Sequence, residues 1–370
     1  MNEKIIKLLL KQKEMCQTDE IQHAIEEQEK LSKIANKKRD AFYEYEDRYI
    51  NLLRVGTEKF FKKYPQFKET LPKDDTKMTI IKHTLDVATN NKVLFSEITK
   101  HMSEFDEFKQ SNELDCKVAS SFYEYLVAFT DLESQIKKDR ESLFSHEYKE
   151  KMASFADEGV LLYFMETPDY PLLDSEISPN DFLDLLFYEG GVEALFSQFF
   201  EMKNVGSSMK RKLEDIDVTL ALIKNGKYRS ASRNLFALLD SEHKKAANAY
   251  EGIISKKQQY KNGLQRVQKI NSIIEKLDDE WLNESWEKVN QYYAKVVATK
   301  PTESVVHRNS IVHGDYENQL MDVDKYSAIK LLLLWLNMRL IADRFCSKAE
   351  IMENLLLYLP AIVLLLVDNK

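Results

Sequence analysis

The chain has 370 residues, of which 44% are hydrophobic and 31% charged, and this balance excludes an intrinsically disordered protein. Nine glycines and seven prolines are few for this length, and sheet-rich proteins need more turn residues, so the composition predicts an all-α fold. The formal net charge of −8 excludes a chain that binds nucleic acid through its overall charge alone.

The charge is unevenly distributed along the chain. Residues 151–200 carry one lysine and ten acidic residues, whereas residues 201–270 carry fifteen Lys/Arg and seven Asp/Glu. A basic stretch of this kind suits a phosphate-binding surface, although lysines on a solvated helix face explain any single residue equally well. The acidic stretch is either a shield for a basic groove or a solvated linker.

Three cysteines, Cys16, Cys116 and Cys346, are far apart and form no CxxC pair. Because they offer neither a zinc site nor a disulfide framework, they indicate a reducing, cytoplasmic location. The apolar runs 331–342 and 355–367 are shorter than the roughly 20 residues that span a bilayer. We therefore expect both runs to form buried core helices and expect no membrane contact.

The N-terminal region, residues 1–156, shows apolar residues at helical spacing among Glu, Lys and Gln. Pro65 and Pro72 interrupt the pattern. The periodicity predicts long helices over residues 1–63, 77–101 and 114–144. We expect this region to regulate the protein or to bind a partner.

Residues 157–204 form an acidic connector that contains several prolines. Within it, Ser178-Pro179 is a typical helix start, because serine caps the first turn and proline fits the first helical position.

Residues 205–370 show the pattern of a helical bundle, and Asn225-Gly226 and 299–302 mark breaks in it. The predicted helices cover residues 207–224, 228 into the 250s, 264–297, 302–313, 324–345 and 348–366.

The short string Arg308-Asn309-Ser310-Ile311-Val312-His313-Gly314 in this bundle carries the clearest chemistry. The guanidinium of Arg308 stays cationic and can hold a phosphate at two points, and His313 titrates near neutral pH. Asn309 and His313 are four residues apart, which places them on one helical face. The pattern predicts Arg308, Asn309 and His313 as catalytic residues of a phosphodiester-cleaving site. The alternative is a structural histidine at a helix C-terminus, where the helix dipole favours a cation.

Three further residues are candidates for supporting roles: His307 as an alternative proton carrier, and Asp240 and Glu242 as partners of Arg308 or of a histidine tautomer. The alternative for Asp240 and Glu242 is that both are surface charges. The remaining histidines, His243 among them, receive no role.

A hard-metal site at His313, Asp315 and Glu317 is weak without a second ligand cluster, so we expect no metal. No glycine-rich phosphate loop, nucleophile elbow or dinucleotide fingerprint is present, so we expect no cofactor.

The string Arg308-Asn309-x-Ile311-x-His313-Gly314, followed by Tyr316 and a leucine-rich helix, resembles the HEPN superfamily, a group of helical domains of higher eukaryotes and prokaryotes. Residues 227–252 are similar to the preceding helix of bacterial HEPN proteins. The resemblance covers residues 205–370 and implies a C-terminal HEPN-like helical bundle preceded by a long-helix region.

The resemblance implies a metal-independent RNA endonuclease that dimerises so that two motifs form one composite active site. It also implies a toxin or antiphage defence effector, with an antitoxin or defence-system protein as partner. The alternative is a non-catalytic helical scaffold or binding module with a HEPN-like dimerisation domain, and a nucleotide-binding module is a third interpretation.

The chemistry of RNA is compatible with the nuclease interpretation. RNA supplies its own nucleophile, the 2′-hydroxyl, and a histidine with a pKa of ~6.5 can accept the proton of that hydroxyl.

Overall fold

The computed structural model describes residues 10, 14, 17–70, 92–143, 146–163, 177–186, 207–254, 259–260, 262–273, 279–298, 306, 308–313 and 323–368. Within these residues the backbone forms helices and no strand, which confirms the predicted all-α fold. The helices are α1 (Asp19–Lys63), a 3-10 segment (Pro65–Thr70), α2 (Lys92–Met102), α3 (Asp106–Leu143), α4 (His146–Asp157), α5 (Pro179–Leu186), α6 (Ser207–Lys224), α7 (Tyr228–Ile253), α8 (Gly263–Ile273), α9 (Glu280–Val297), α10 (Arg308–His313) and α11 (Lys325–Asp368).

The chain divides into two compact units. Unit 1 comprises Met1–Ile25 and Lys138–Met352, and unit 2 comprises Glu26–Lys137 and Glu353–Lys370. The motif helix α10 belongs to unit 1, so the candidate site is built entirely on that unit.

Unit 2 is held together by aromatic side chains of α1, α3 and the last part of α11. The ring of Phe42 packs at 5.2 Å from Phe122 and at 6.1 Å from Tyr358, and the Tyr358 hydroxyl donates to Glu46 Oε1 at 3.1 Å. These aromatics are core residues, as their helical spacing predicts. Helix α3 begins before the predicted residue 114, since Asp106 and Glu107 place favourable negative charge in its first turn. Of the helix predicted over residues 77–101, the part before residue 92 lies outside the described residues.

The core of unit 1 surrounds the first half of α11. Residues 331–338 are all buried, so this helix is enclosed on every side, and the core also includes Trp286 and Phe345. The polar Asn337 is accommodated because its amide donates to Leu161 O at 3.0 Å and to Leu333 O at 2.7 Å. The run 331–342 is therefore a core segment, as predicted.

Capping groups set helix ends where the sequence predicts them. The Asp181 N–H donates to Ser178 Oγ at 3.2 Å, and that hydroxyl donates to Asp181 Oδ2 at 2.7 Å, a reciprocal cap at the start of α5. Helix α6 ends at Lys224, and Gly226 adopts φ +69° while the Lys227 N–H donates to Leu222 O at 2.9 Å.

The prediction of one continuous helix over residues 264–297 is wrong, because the described residues of this stretch belong to two separate helices, α8 and α9. Asp279 adopts φ −160°, and its carboxylate accepts the Leu282 N–H at 2.9 Å. An aspartate cap of this kind begins a new helix instead of continuing the previous one. Helix α8 packs against both α7 and α9.

The separate helices predicted over residues 324–345 and 348–366 are in fact one helix, α11. The two residues between them, Cys346 and Ser347, include no glycine or proline, so nothing there stops the helix. The prediction that the run 355–367 is buried is wrong for Leu356 and Leu359, which are 77% and 45% exposed. Among the described helices, none combines the length and apolarity needed to cross a bilayer.

Two glycines with positive φ offer a matched test of packing in unit 1. Gly159 has φ +82° and Gly226 has φ +69°. A Cβ at Gly159 would lie 2.5 Å from the Tyr292 ring, whereas a Cβ at Gly226 would meet nothing within 4 Å.

We therefore expect Gly226→Ala to lower the free energy of unfolding by about 1 to 2 kcal/mol through backbone strain alone. Gly159→Ala adds the collision of the new Cβ with the Tyr292 ring, and we expect it to lower the free energy of unfolding by about 3 kcal/mol. Chemical denaturation measures both values, and equal losses would contradict the packing at Tyr292.

Candidate active site

The motif forms α10, a helix of six residues. It begins at Arg308, later than the predicted start at 302, because Val306 is not helical; residues 302–305 lie outside the described part of the chain. So short a helix is not stable alone, and tertiary contacts must hold it. Val306 and Ile311 supply them, with 2% and 0% of their surface exposed.

Helix α10 packs against α7 and α9. From α7, the Arg233 Nε donates to the carbonyl of Ile311 at 3.1 Å. This places a cation in the last turn of α10, where the helix dipole is negative and carbonyls lack partners within the helix. Arg233, which was not predicted as a site residue, thus fixes the C-terminal half of the motif.

The structure describes the predicted site residues unequally. Arg308 is half-buried at the start of α10. Asn309 and His313 are described by their helical backbone alone, and His307 lies outside the described residues. Catalytic roles for Asn309 and His313, and a supporting role for His307, stay predictions.

Asp240 on α7 is half-buried and lies within the electric field of Arg308. Burial alone would raise the pKa of Asp240, but Arg266, the Tyr293 hydroxyl and the charge of Arg308 together hold it below its ordinary value. The carboxylate is therefore ionised at neutral pH and attracts the guanidinium of Arg308.

One oxygen of Asp240 is held from several directions. Its Oδ1 accepts from Arg266 Nη2 at 2.9 Å and from the Tyr293 hydroxyl at 3.0 Å. Gly263 completes the enclosure, since a Cβ there would lie 2.9 Å from Oδ1. The other oxygen, Oδ2, makes no hydrogen bond with any residue that the structure describes.

His243, one turn further along α7, is fully buried behind this carboxylate. Its Nδ1 accepts from Arg266 Nε at 2.9 Å, and its Nε2 lies 2.7 Å from Asn290 Oδ1. The Asn290 amide nitrogen donates to Trp286 O at 2.8 Å, so the amide oxygen must face the histidine. Because guanidinium nitrogens only donate, His243 carries its proton on Nε2. We call the linked side chains Asp240, Arg266, His243 and Asn290 the buried chain.

Burial and the charge of Arg266 lower the pKa of His243 to about 3. Its ring stacks on Tyr293 at 4.4 Å and on Trp286 at 5.5 Å between ring centroids. The imidazole is thus neutral at neutral pH and fixed in position. It is therefore a structural group of the core.

Glu242 belongs to a different cluster of charges. It is fully buried, pairs with Lys212, and lies 3.5 Å from Arg339 Nη1. Residues two apart on a helix do not share a face, which separates Glu242 from Asp240. The described ion pairs of Glu242 therefore involve α6 and α11 instead of Arg308.

The guanidinium of Arg308 lies within the electric field of Asp240, the outermost member of the buried chain. Its five N–H donors suit a phosphate. Among the described residues, no three His, Cys, Asp or Glu side chains cluster closely enough to hold a metal ion. The string His313-x-Asp315-x-Glu317 is not covered by that search, since its side chains lie outside the described residues.

The low pKa of His243 links its burial to stability. An unfolded histidine takes up a proton near pH ~6.5, whereas folded His243 stays neutral down to about pH 3. Its contribution to stability is therefore fully present above pH ~6.5 and is lost as the pH falls below that value.

Between pH 7 and 5, the free energy of unfolding should fall by about 2 kcal/mol more in the wild type than in His243→Asn. Denaturant titrations at both pH values measure the difference. Phe345→Leu, which alters the core but keeps His243, should retain the full pH dependence. The same pH dependence in wild type and His243→Asn would contradict a neutral buried imidazole.

Comparisons with known proteins add no relative. No protein-family model, curated protein or solved structure matches the chain. The features that mark the site are those of its own residues: the six-residue motif helix, its anchor on α7, and Arg308 within the electric field of an ionised carboxylate.

Proposed function

We propose that the chain is a metal-independent RNA endonuclease of the HEPN type. The observation that carries the proposal is the half-buried Arg308 at the start of a short helix anchored on α7, within the field of ionised Asp240. The resemblance of the motif to HEPN domains supports the same function. A half-buried arginine is well suited to clamp a phosphate, because its planar fork offers two parallel hydrogen bonds to the phosphate oxygens.

In the proposed reaction, the ribose 2′-hydroxyl attacks the adjacent phosphorus while His313 accepts its proton. Arg308 stabilises the additional negative charge of the transition state. Asn309 orients His313 or hydrogen-bonds the phosphate. The P–O5′ bond breaks, and the leaving oxygen takes a proton, so that the products are a 2′,3′-cyclic phosphate and a 5′-hydroxyl.

We further propose a homodimer with a composite site. The two proton transfers use two groups, one at the 2′-oxygen and one at the 5′-oxygen, and each motif supplies one histidine in His313. Pairing two copies around one linkage would bring both histidines and both Arg308 side chains together. The biological role proposed with this chemistry is that of a toxin or antiphage defence effector, controlled by an antitoxin or a defence-system partner.

A non-catalytic scaffold or binding module is the second candidate, and one observation favours it. Asp240, which is ion-paired with Arg266, also attracts Arg308, and this attraction stabilises the folded chain without a phosphate ligand. In that case α10 would serve dimerisation or partner binding.

Purified wild-type protein should cleave RNA in excess EDTA and leave 2′,3′-cyclic phosphate and 5′-hydroxyl ends. Arg308→Ala and His313→Ala should each lower the rate by about 10²- to 10⁴-fold, because each removes a group that acts in the transition state. Matched controls are Lys244→Ala on the exposed side of α7 and His23→Ala on α1, both at exposed positions.

The controls should cleave at the wild-type rate, and a substrate with 2′-deoxyribose at the cleaved position should resist. Cleavage that requires metal, cleavage of the 2′-deoxy linkage, or full activity in His313→Ala would contradict the mechanism. No cleavage by the wild type under any of these conditions would favour the scaffold.

Induced expression separates the effector role from the scaffold role in cells. The effector role predicts that the wild type arrests growth, whereas folded Arg308→Ala and His313→Ala proteins at equal expression do not. Growth curves after induction measure this. Equal arrest by the wild type and by both variants would count against a catalytic toxin.

A further inference from the structure

Unit 2 contains a groove between α1 and α3 that takes no part in the proposed cleavage site. Its volume is about 600 Å³, within the range of pockets that bind ligands. Five residues of α1 and four of α3 line it, and all of them belong to unit 2. The lining residues of α1 recur every three or four positions, so they form one face of that helix. Phe42 and Glu46 of α1 instead contact Tyr358, so the groove lies on a different face of α1 from the core of unit 2.

Two ion pairs between the helices establish how α1 and α3 run past each other. Lys38 pairs with Glu124, and Lys59 pairs with Glu107, so the two helices are antiparallel. Residues that follow Lys38 on α1 therefore lie beside residues that precede Glu124 on α3.

Three lysines line the groove, two near one end and one near the other. Lys37 and Lys38 lie beside Glu124. Lys117, seven residues before Glu124, lies opposite Tyr45, seven residues after Lys38, and this level is about 10 Å further along the groove. Lys37 and Lys117 are exposed, and neither forms an ion pair with a residue that the structure describes. The groove thus carries an uncompensated positive charge towards each end.

The same groove offers apolar surface between and beside these charges. The ring of Tyr45 is 38% exposed, and Ile34, about 16 Å away along α1, is 42% exposed. Proteins that bind single-stranded nucleic acids combine lysines along the phosphate backbone with aromatic rings on which bases stack. The lining of the groove has both parts.

An acidic helix of a partner protein is the other occupant with a matching charge. Such a helix docks through an apolar stripe that meets an apolar groove at every third or fourth residue. Between Ile34 and Tyr45, the groove face of α1 presents Lys37, Lys38 and Ala41, and all four lining residues of α3 are polar or charged. The lining therefore suits a nucleic-acid strand better than the apolar face of a helix.

We propose that this groove binds single-stranded RNA, with Lys37 and Lys117 on phosphates and a base stacked on Tyr45. The complementary charge of the phosphates selects the occupant. Six of the nine lining residues are exposed, so the groove is open and suits a strand that passes through it. The choice of RNA rests on the proposed nuclease function, whose substrate the groove would hold, but RNA binding is measured without cleavage.

Fluorescence anisotropy with a short single-stranded RNA tests the proposal. The 2′-hydroxyls of this RNA are methylated, so that 2′-hydroxyl attack cannot cleave it. Combined Lys37→Gln and Lys117→Gln should raise Kd about tenfold and reduce the slope of log affinity against log salt by about 1.4, or about 0.7 for each lost phosphate contact. Tyr45→Leu should also raise Kd about tenfold but leave the slope unchanged, because stacking releases no counterions.

The chain offers a matched control for each change. Lys62 and Lys137 are exposed on the same two helices but do not line the groove, so combined Lys62→Gln and Lys137→Gln removes the same charge elsewhere. Tyr123 is 40% exposed and also lies outside the lining, which makes Tyr123→Leu the control for Tyr45→Leu. The control variants should bind with the affinity and the salt slope of the wild type.

Absence of RNA binding by the wild type, or equal losses in the groove variants and their controls, would overturn the proposal. Displacement of the RNA by polyglutamate as effectively as by unlabelled RNA of equal charge would assign the groove to an acidic partner protein instead. Cleavage of unmodified RNA in EDTA separates this proposal from the nuclease function. Groove-dependent binding without cleavage would remove the nuclease and keep the groove, whereas cleavage with unchanged binding in the groove variants would remove the groove alone.

Discussion

The Asp240 carboxylate is the charge around which three helices of unit 1, α7, α8 and α9, are arranged. Arg266 and Tyr293 hold its Oδ1 at 2.9 and 3.0 Å, and the charge of Arg308 acts on the same group. A carboxylate in this setting must be ionised and paired, because its burial would otherwise favour the neutral form. The local structure of unit 1 thus holds an ionised carboxylate in a fixed position within the electric field of Arg308.

The motif helix itself contributes little stability. Six residues form too few internal hydrogen bonds to offset the cost of nucleating a helix, so α10 exists because Ile311 is buried and Arg233 binds its carbonyl. Both contacts are made with neighbouring helices and not within α10. This is a suitable design for a site that must hold a few side chains precisely, since a rigid scaffold sets their positions.

Much of the fold follows from local signals in the sequence. The helix start at Ser178-Pro179 and the helix end before Gly226 lie where capping chemistry predicts them. The role of Arg308 stays a prediction from residue type and spacing.

The buried chain could not be predicted from the sequence, for a physical reason. On one continuous helix over residues 264–297, Arg266 and Tyr293 would be roughly 40 Å apart. In the structure, the cap at Asp279 starts a new helix, and α8 packs against both α7 and α9. This packing brings the side chains of Arg266 and Tyr293 to Asp240. A buried histidine such as His243 has no sequence signal of its own, because its role depends on Arg266 and Asn290 from other helices.

The most direct test of a nuclease site at α10 is a structure of the protein bound to an RNA that carries 2′-deoxyribose at the cleaved position. We expect the scissile phosphate within hydrogen-bond distance of the Arg308 guanidinium. We also expect the His313 imidazole beside the 2′ carbon, and Asp240 still paired with Arg266. RNA bound away from α10, or an Arg308 side chain directed into the protein with no access to the phosphate, would contradict it.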